Sequence, residues 1–563
     1  MSVGKMARGL FVSSLLASSL CGVLGQQGTG FSVLSHSTAS AAFGAAQAGG
    51  GLSVDDTQDV QYSVNITLGG QVFTVQLDSG SSDLWVNTDK PLKIVNDSGI
   101  VAQISYGVGF VEGPIQFAEL QLGEYTIPSQ AFINVNKTKD FPPDAQGILG
   151  IAFDLEILDS TEAYLKHYWG NETTLGRTPL SNILNQNTST VPAFDVALGR
   201  SSDLDEYSEG LFIIGQHAPQ YQAVSSAPKL PQVTEGRWSA VVEGLSVNGK
   251  NYTFKTKSEV ATVPKGHLVG FLDTGTSLPE VPEDVADFIY GSIDGAVKNG
   301  GVWFVPCETS VNLTWYLGGQ AFPMHPLDLT LINPLTWSPS KDLDVDIVLC
   351  IGAYQIGTPP YPGIDMVLGD NFLRNVYVSF NYGADPGRTQ NGTGSYIQLL
   401  STTQEDAAWV DFERSRIETL MALEFIVDPL VLQQFPGALD GLAKQLQAEG
   451  LAPPPANSSS GGTSTDNAGA QGRVLGAVES SSAGSSSVAS LLHKYGPVVI
   501  GLLATNVFVM LLLCTIALVA CTRGVVRKGA RTRSLPATYA PVSFKEKVSD
   551  DPEFNAPVHS YSD

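Results

Sequence analysis

A β-rich globular body with further segments attached at both ends is the fold class the sequence predicts, and three observations carry it. The chain of 563 residues is 43% hydrophobic and only 15% charged, with 58 glycines, a balance that suits strands joined by tight turns. One local pattern occurs twice, VQLDSGSSDLWV at 75–86 and VGFLDTGTSLP at 269–279. Each is an apolar strand that ends in Asp, a hydroxyl residue, Gly and more hydroxyl residues. Far downstream, residues 497–521 form a 25-residue stretch without a charge. One core cannot absorb all of this, so several pieces are expected.

Taken in order, residues 1–25 carry Lys5 and Arg8 and then LFVSSLLASSLCGVLG, a short apolar run ending in small residues, which reads as a secretory signal. Residues 26–57, rich in Gly, Ala, Ser and Gln, read as a flexible leader or short prosegment. VQYSVNITLGGQVFTVQLDSG then reads as two strands joined at a Gly-Gly turn, delivering Asp78. The second copy of the pattern delivers Asp273, 195 positions later. Residues 401–452 mix charged and apolar positions at spacing compatible with helix, a C-terminal extension. Residues 453–492 are dominated by Ser, Gly and Ala and read as a stalk.

The uncharged stretch 497–521 is long enough to span a bilayer, and Arg523, Arg527, Lys528, Arg531 and Arg533 follow it. That order predicts a single-pass type I membrane protein with the body outside or in a lumen and residues 522–563 in the cytoplasm. A removable lipid-anchor signal would end in its apolar tail, whereas 42 residues follow here. Nine N-x-Ser/Thr sequons, at Asn65, Asn96, Asn136, Asn171, Asn187, Asn251, Asn312, Asn391 and Asn457, all fall between the signal and the span. With 31 basic against 55 acidic residues the charge is −24, which argues against nucleic-acid binding and suits an acidic compartment. HExxH, G-x-S-x-G and phosphate-loop patterns are missing, so no metal, cofactor or serine-hydrolase chemistry is expected.

An Asp set onto a Gly turn beside buried surface is costly unless it has compensating bonds or a partner. Two such sites suggest a pair. Facing carboxyl groups cannot both ionise at a few ångströms, so they share one proton, and a water between them can be activated by general base and general acid together.

Beyond the two aspartates, ISYGVGF at 104–110, GILGIAF at 147–153 and MVLGDNFLRNVYVSFN at 366–381 follow in order. With DSGSSDLWV and DTGTS, these segments resemble the pepsin-like aspartic proteases, fungal membrane-anchored members included, over about 58–400. The resemblance implies an all-β, bilobal acid-protease fold with the cleft between an N-terminal lobe (58–225) and a C-terminal lobe (226–400), plus the C-terminal transmembrane helix. It implies Asp78 and Asp273 as the catalytic pair, with Gly80 and Gly275 in the turns. Ser79 and Thr274 would link the two loops, and Ser81 and Thr276 would bond the outer carboxylate oxygens. Tyr106, Gly107 and Val108 would form a flap over an extended peptide, with the Trp85 indole N–H reaching the Tyr106 hydroxyl. Val108, where relatives that accept lysine carry Asp, implies an apolar preference.

GILGIAF and the 366–381 segment would buttress the two aspartates, GLFIIG at 210–215 would join the lobes, and Cys307 and Cys350 stand where the family carries a disulfide. The leader has no Lys or Arg between Arg8 and Lys90, so a lysine-on-aspartate lock is not expected. The partners implied are peptide or protein substrates and the membrane; the chain is expected to be a monomer. An aspartic endopeptidase is the function read here; a catalytically silent pepsin-fold binding protein at the cell surface is the alternative.

Overall fold

The computed structural model describes residues 52–57, 61–106, 109–141, 145–154, 160–171, 173–187, 189–201, 208–340, 343–383, 394–448 and 451–452. The chain divides into Met1–Ala477 and Val478–Asp563, and every described residue belongs to the first unit. The expected signal, stalk, span and cytoplasmic tail lie outside the described residues, as do Gly107, Val108, Asn391 and Asn457. Among the described residues no helix is long and apolar enough to cross a membrane.

The first hairpin shows how the sequence sets the fold. Gln61–Leu68 and Gln71–Asp78 pair antiparallel with Leu68 opposite Gln71, which leaves only Gly69 and Gly70 for the turn. Both glycines take positive φ, 55° and 81°, as a two-residue turn that follows the strand twist requires. Toward the end of Gln71–Asp78 every side chain is buried, so the strand drives Asp78 into the interior.

Each aspartate strand is then held by the same device. Gln71–Asp78 runs parallel to Gly147–Gly150, which pairs on its other edge antiparallel with Leu84–Asn87. In the second half Leu268–Leu272 runs parallel to Met366–Leu368, whose other neighbour is Glu280–Val281. The buttressing segments read from the sequence therefore sit directly beside the two aspartates. A Cβ at Gly150 would overlap the backbone of Ser82 and Asp83, and one at Gly369 would overlap the Thr276 carbonyl, so glycine permits the close approach in both places.

The halves are joined by shared strands. Val376–Asn381 pairs antiparallel with Ala193–Ala197, and Tyr396–Ser401 follows it, so the last two strands of the second half enter the sheet of the first. Glu209–Ile214, which holds all but the last residue of the predicted joining segment, lies on the other edge of Ala193–Ala197. Trp238, Phe153, Phe194, Phe380 and Tyr382 pack above this junction, with Trp238 and Phe153 rings 4.3 Å apart. The Tyr382 hydroxyl donates to the Ile151 carbonyl at 2.9 Å, tying the first buttress to the last strands.

One segment differs from the sequence reading, and another agrees with it and is packed more closely than an appendage. Leu52–Thr57, assigned there to the leader, is a strand that pairs with Glu209–Ile214 and with Gln61–Leu68. Leu52 and Val54 supply the alternating apolar positions that let it close the sheet. Within the extension 401–452, Glu405–Ala422, Pro429–Leu432 and Ala438–Ala448 are helices, and the last two pack into an apolar cluster with strands of the second half. Arg416, 1% exposed, donates to the Cys307 carbonyl and the Thr330 hydroxyl, both at 2.9 Å. Leu439, Leu442 and Leu446 pack against Phe304, Leu349 and Ile351. Cys307 and Cys350 are joined as a disulfide across 43 positions, a loop whose closure contributes about 4 kcal/mol on the chain-entropy account.

Candidate active site

Both aspartates end their strands at turns whose bonds match one for one. The Gly80 N–H donates to Asp78 Oδ1 at 2.8 Å and the Gly275 N–H to Asp273 Oδ1 at 3.0 Å. The Ser81 hydroxyl donates to Asp78 Oδ2, and the Thr276 hydroxyl to Asp273 Oδ2 at 2.7 Å. Charge-assisted bonds of this kind hold a carboxylate by both oxygens and fix its plane.

The second hydroxyl of each motif locks one loop to the other. Thr274 Oγ1 accepts from the Ser79 N–H at 2.9 Å and donates to the Leu77 carbonyl at 2.8 Å. Ser79 Oγ accepts from the Thr274 N–H at 3.0 Å and donates to the Leu272 carbonyl at 3.2 Å. Four bonds between residues about two hundred positions apart bring the carboxyl groups face to face. A Cβ added at Gly80 would lie 2.5 Å from Asp273 Oδ1, and one at Gly275 would be closer still to Asp78 Oδ1.

Electrostatics follow from that packing. Asp78 and Asp273 are 0% and 1% exposed, and their side chains are within hydrogen-bonding reach of each other. Burial pushes Asp78 above the ordinary carboxylate range, with the Ser81 hydroxyl and Gly80 N–H offsetting part of the rise. Asp273 is pushed further up by burial and then by the charge of Asp78. The pair therefore takes up one proton more readily than two separate carboxylates would, and it titrates as a unit.

Tyr106 ends the strand Ile94–Tyr106 at the base of the predicted flap, and Trp85 lies in Leu84–Asn87 beneath it. Both rings meet Phe141 edge-on, each at 5.4 Å, in one apolar cluster. The expected bond between the Trp85 indole and the Tyr106 hydroxyl is not well formed. The two groups act on one another, but neither buried polar atom has a partner at hydrogen-bond geometry.

Three participants are not singled out in the sequence, although Gln76 stands within the first repeated motif. Gln76 Nε2 donates to the Gly275 carbonyl at 3.3 Å, Arg237 Nη1 donates to the Gly80 carbonyl at 3.1 Å, and Phe141 closes on Tyr106. The place of Arg237 just before the wholly buried Trp238 is the only local hint of its burial. Of the described sequon residues, Asn65, Asn96, Asn136, Asn171, Asn187 and Asn251 are exposed, while half-buried Asn312 accepts from the Trp409 indole. Among the described residues no group of three or more His, Cys, Asp or Glu is placed to hold a metal ion.

Residues 61–386 match the family described as eukaryotic aspartyl protease. A vacuolar aspartic protease from Candida albicans is 27% identical over 344 residues, which is 57% of this chain and 72% of that protein. Syncephapepsin from Syncephalastrum racemosum is 27% identical, over 58% of this chain and 77% of its own. Rhizopuspepsin-1 from Rhizopus niveus is 26% identical, over 58% and 78%.

Proposed function

The chain belongs to the eukaryotic aspartyl proteases and is an aspartic-type endopeptidase, and from that premise we propose that Asp78 and Asp273 activate a water between them to hydrolyse peptide bonds in extended substrates at acidic pH. The observation that carries this reading is the facing pair itself, two buried carboxyl groups so close that neither turn tolerates a Cβ.

The ionised carboxylate takes a proton from the water as its oxygen bonds to the carbonyl carbon, while the protonated carboxyl gives its proton to the carbonyl oxygen. The product is a tetrahedral diol with no bond to the protein. Its collapse breaks the C–N bond, the leaving nitrogen takes a proton from the carboxyl that received one from the water, and a diol hydroxyl returns its proton to the other. The pair ends as it began. The monoanion is the working form, and a raised pair keeps one proton at mildly acidic pH, which supports the acid optimum.

Substrate would lie as an added strand beneath the flap, with Tyr106, Gly107 and Val108 closing over it and an apolar side chain preferred beside the cut. The body would be lumenal or extracellular, anchored by 497–521 as a single-pass type I membrane protein and carrying glycans at exposed sequons; it would act as a monomer on peptide or protein substrates and bind no nucleic acid.

The test is cleavage of a mixed peptide library by the full-length chain from pH 3 to 7, with and without a statine-type transition-state analogue, beside Asp273→Asn. Cutting by the parent, blocked by the analogue and reduced by roughly 10⁴-fold in the variant, is expected. Undiminished cutting by Asp273→Asn would overturn the assignment, and a folded parent that never cuts would favour the binding-protein alternative.

A further inference from the structure

The two active-site loops are near copies except at one bond. The Gly275 carbonyl of the second loop accepts from the neutral amide of Gln76, whereas the corresponding Gly80 carbonyl of the first accepts from the guanidinium of Arg237. Arg237 is 8% exposed and lies over the Tyr361 ring at 4.5 Å and the Phe271 ring at 5.7 Å. Its own carbonyl accepts from Gln232 Nε2 at 2.9 Å and from the Ser239 N–H at 2.8 Å, so backbone and side chain are both held. A planar cation laid over two rings and bonded through Nη1 to a carbonyl is a role for which lysine is a poor substitute.

From this asymmetry we infer that Arg237 is a positioning residue for the aspartate pair: it clamps the Gly80–Ser81 peptide and keeps the pair's one negative charge on Asp78, with the proton on Asp273. The inference rests on the peptidase reading above. The peptide that Arg237 grips joins the two residues bonded to Asp78, for Gly80 gives its N–H to Oδ1 and Ser81 its hydroxyl to Oδ2. The Cα of Gly80 also faces Asp273, so slack in this loop would move both carboxyl groups. A buried cation acts strongly in such surroundings because little water screens it.

Among the described residues, the ionisable groups facing the pair are the two aspartates themselves, Arg237, and Tyr106 at the flap base, with Asp83 and Asp78 both acting on that phenol. Among them Arg237 alone is positive. Its charge lowers Asp78 against the rise that burial causes, while Asp273 is driven up by burial and by the charge on Asp78.

Removing the cation makes ionised Asp78 less favourable, so the acid limb of the kcat/KM profile moves to higher pH. The experiment compares the full-length parent, Arg237→Gln and Arg237→Lys on one fluorogenic peptide from pH 2 to 7, with folding checked by circular dichroism. Arg237→Gln is expected to move the acid limb up by about 1 pH unit. Arg237→Lys is expected to return the limb most of the way while kcat stays below the parent, since the charge is restored without the planar group that lies over the rings.

An Arg237→Gln profile that superimposes on the parent after scaling overturns the inference and leaves the peptidase reading standing. So does a lysine variant displaced as far as the glutamine one. If Arg237→Gln does not fold, Arg237→Met replaces it; if neither neutral variant folds, the lysine variant decides, supporting the inference with its limb at the parental pH and overturning it with the limb displaced. A parent that does not cut overturns the peptidase reading and this inference with it.

Discussion

Around Asp78 and around Asp273 the same three bonds recur: a glycine N–H to one carboxylate oxygen, a hydroxyl to the other, and a second hydroxyl reaching across to the opposite strand. The likeness stops one layer out. Behind the first loop stands a cation, Arg237, and behind the second a neutral amide, Gln76. The first half carries the strand Ile94–Tyr106 that leads into the expected flap; the second instead carries a disulfide and the packed helical extension. A symmetric cradle set in unsymmetric surroundings is what two chemically identical side chains need if one is to give a proton while the other takes one.

The comparison is most directly broken at the two glycines. Gly80→Ala and Gly275→Ala would each put a methyl group into the facing carboxylate, which cannot retreat because both its oxygens are bonded. Either change is expected to lower kcat/KM almost as far as losing an aspartate, by roughly 10³–10⁴-fold, with the fold retained by circular dichroism. A glycine that accepts alanine at full activity would mean that its half of the cradle is looser than its partner.

Further from the chemistry the halves differ in how they bury charge. Asp328 in the second half is 1% exposed and accepts from Arg374 Nε and Asn375 Nδ2, both at 2.7 Å, and from Arg200 of the first half. Burial would raise this carboxyl, but the two guanidinium groups hold it down at about 2. Asp328→Asn leaves two cations facing a neutral group and is expected to cost about 3–5 kcal/mol in denaturant unfolding at pH 5. The sign with pH is set by the depressed value. The stabilisation is complete above the unfolded-state carboxylate range near 4 and is lost as pH falls through about 2. Parent and variant should therefore converge toward pH 2, and a gap unchanged between pH 5 and 2 would remove the charge from the explanation.

Local sequence revealed the parts of this site that local structure builds. An apolar strand ending in Asp and a Gly turn is a short-range object, and its repetition disclosed the pair; the linking hydroxyls Ser79 and Thr274 and the buttresses followed from the family resemblance that these motifs carry. What it could not disclose comes from contacts across long separations. Arg237 meets Gly80 from 157 positions away, and Arg416 reaches Cys307 across 109, with no periodicity to announce either. The Trp85 indole was placed beside the Tyr106 hydroxyl by resemblance, yet Phe141, outside every motif, packs edge-on against both rings. Leu52–Thr57 is a strand because Glu209–Ile214 offers it an edge, a fact that its own composition does not hold.

The first half has the opposite kind of buried acid, and it sharpens the contrast at smaller cost. Asp154 follows the first buttress, its side chain is 1% exposed, and its nearest cation, Arg177, stands at 4.0 Å. It accepts from the Thr178 N–H at 2.9 Å and the Ser181 hydroxyl at 2.7 Å, but burial, with the charge of Glu162 adding to it, pushes it up to about 6. Between the unfolded-state value near 4 and about 6 the folded chain binds the extra proton, so this group makes the protein more stable as pH falls through that window. The gain between pH 7 and pH 4 is about 2 kcal/mol, since the unfolded-state carboxyl is itself partly protonated at pH 4. Asp154→Asn keeps both bonds, since its carbonyl oxygen can accept from Thr178 and the Ser181 hydroxyl accepts as readily as it donates. The variant is therefore expected to match the parent at pH 4, to exceed it at pH 7, and to show a flatter dependence of the denaturant midpoint on pH between them. A variant that keeps the parental slope would show that Asp154 is not what favours acid in this lobe, and the division between a first half stabilised by protonation and a second half stabilised by ionisation would fall.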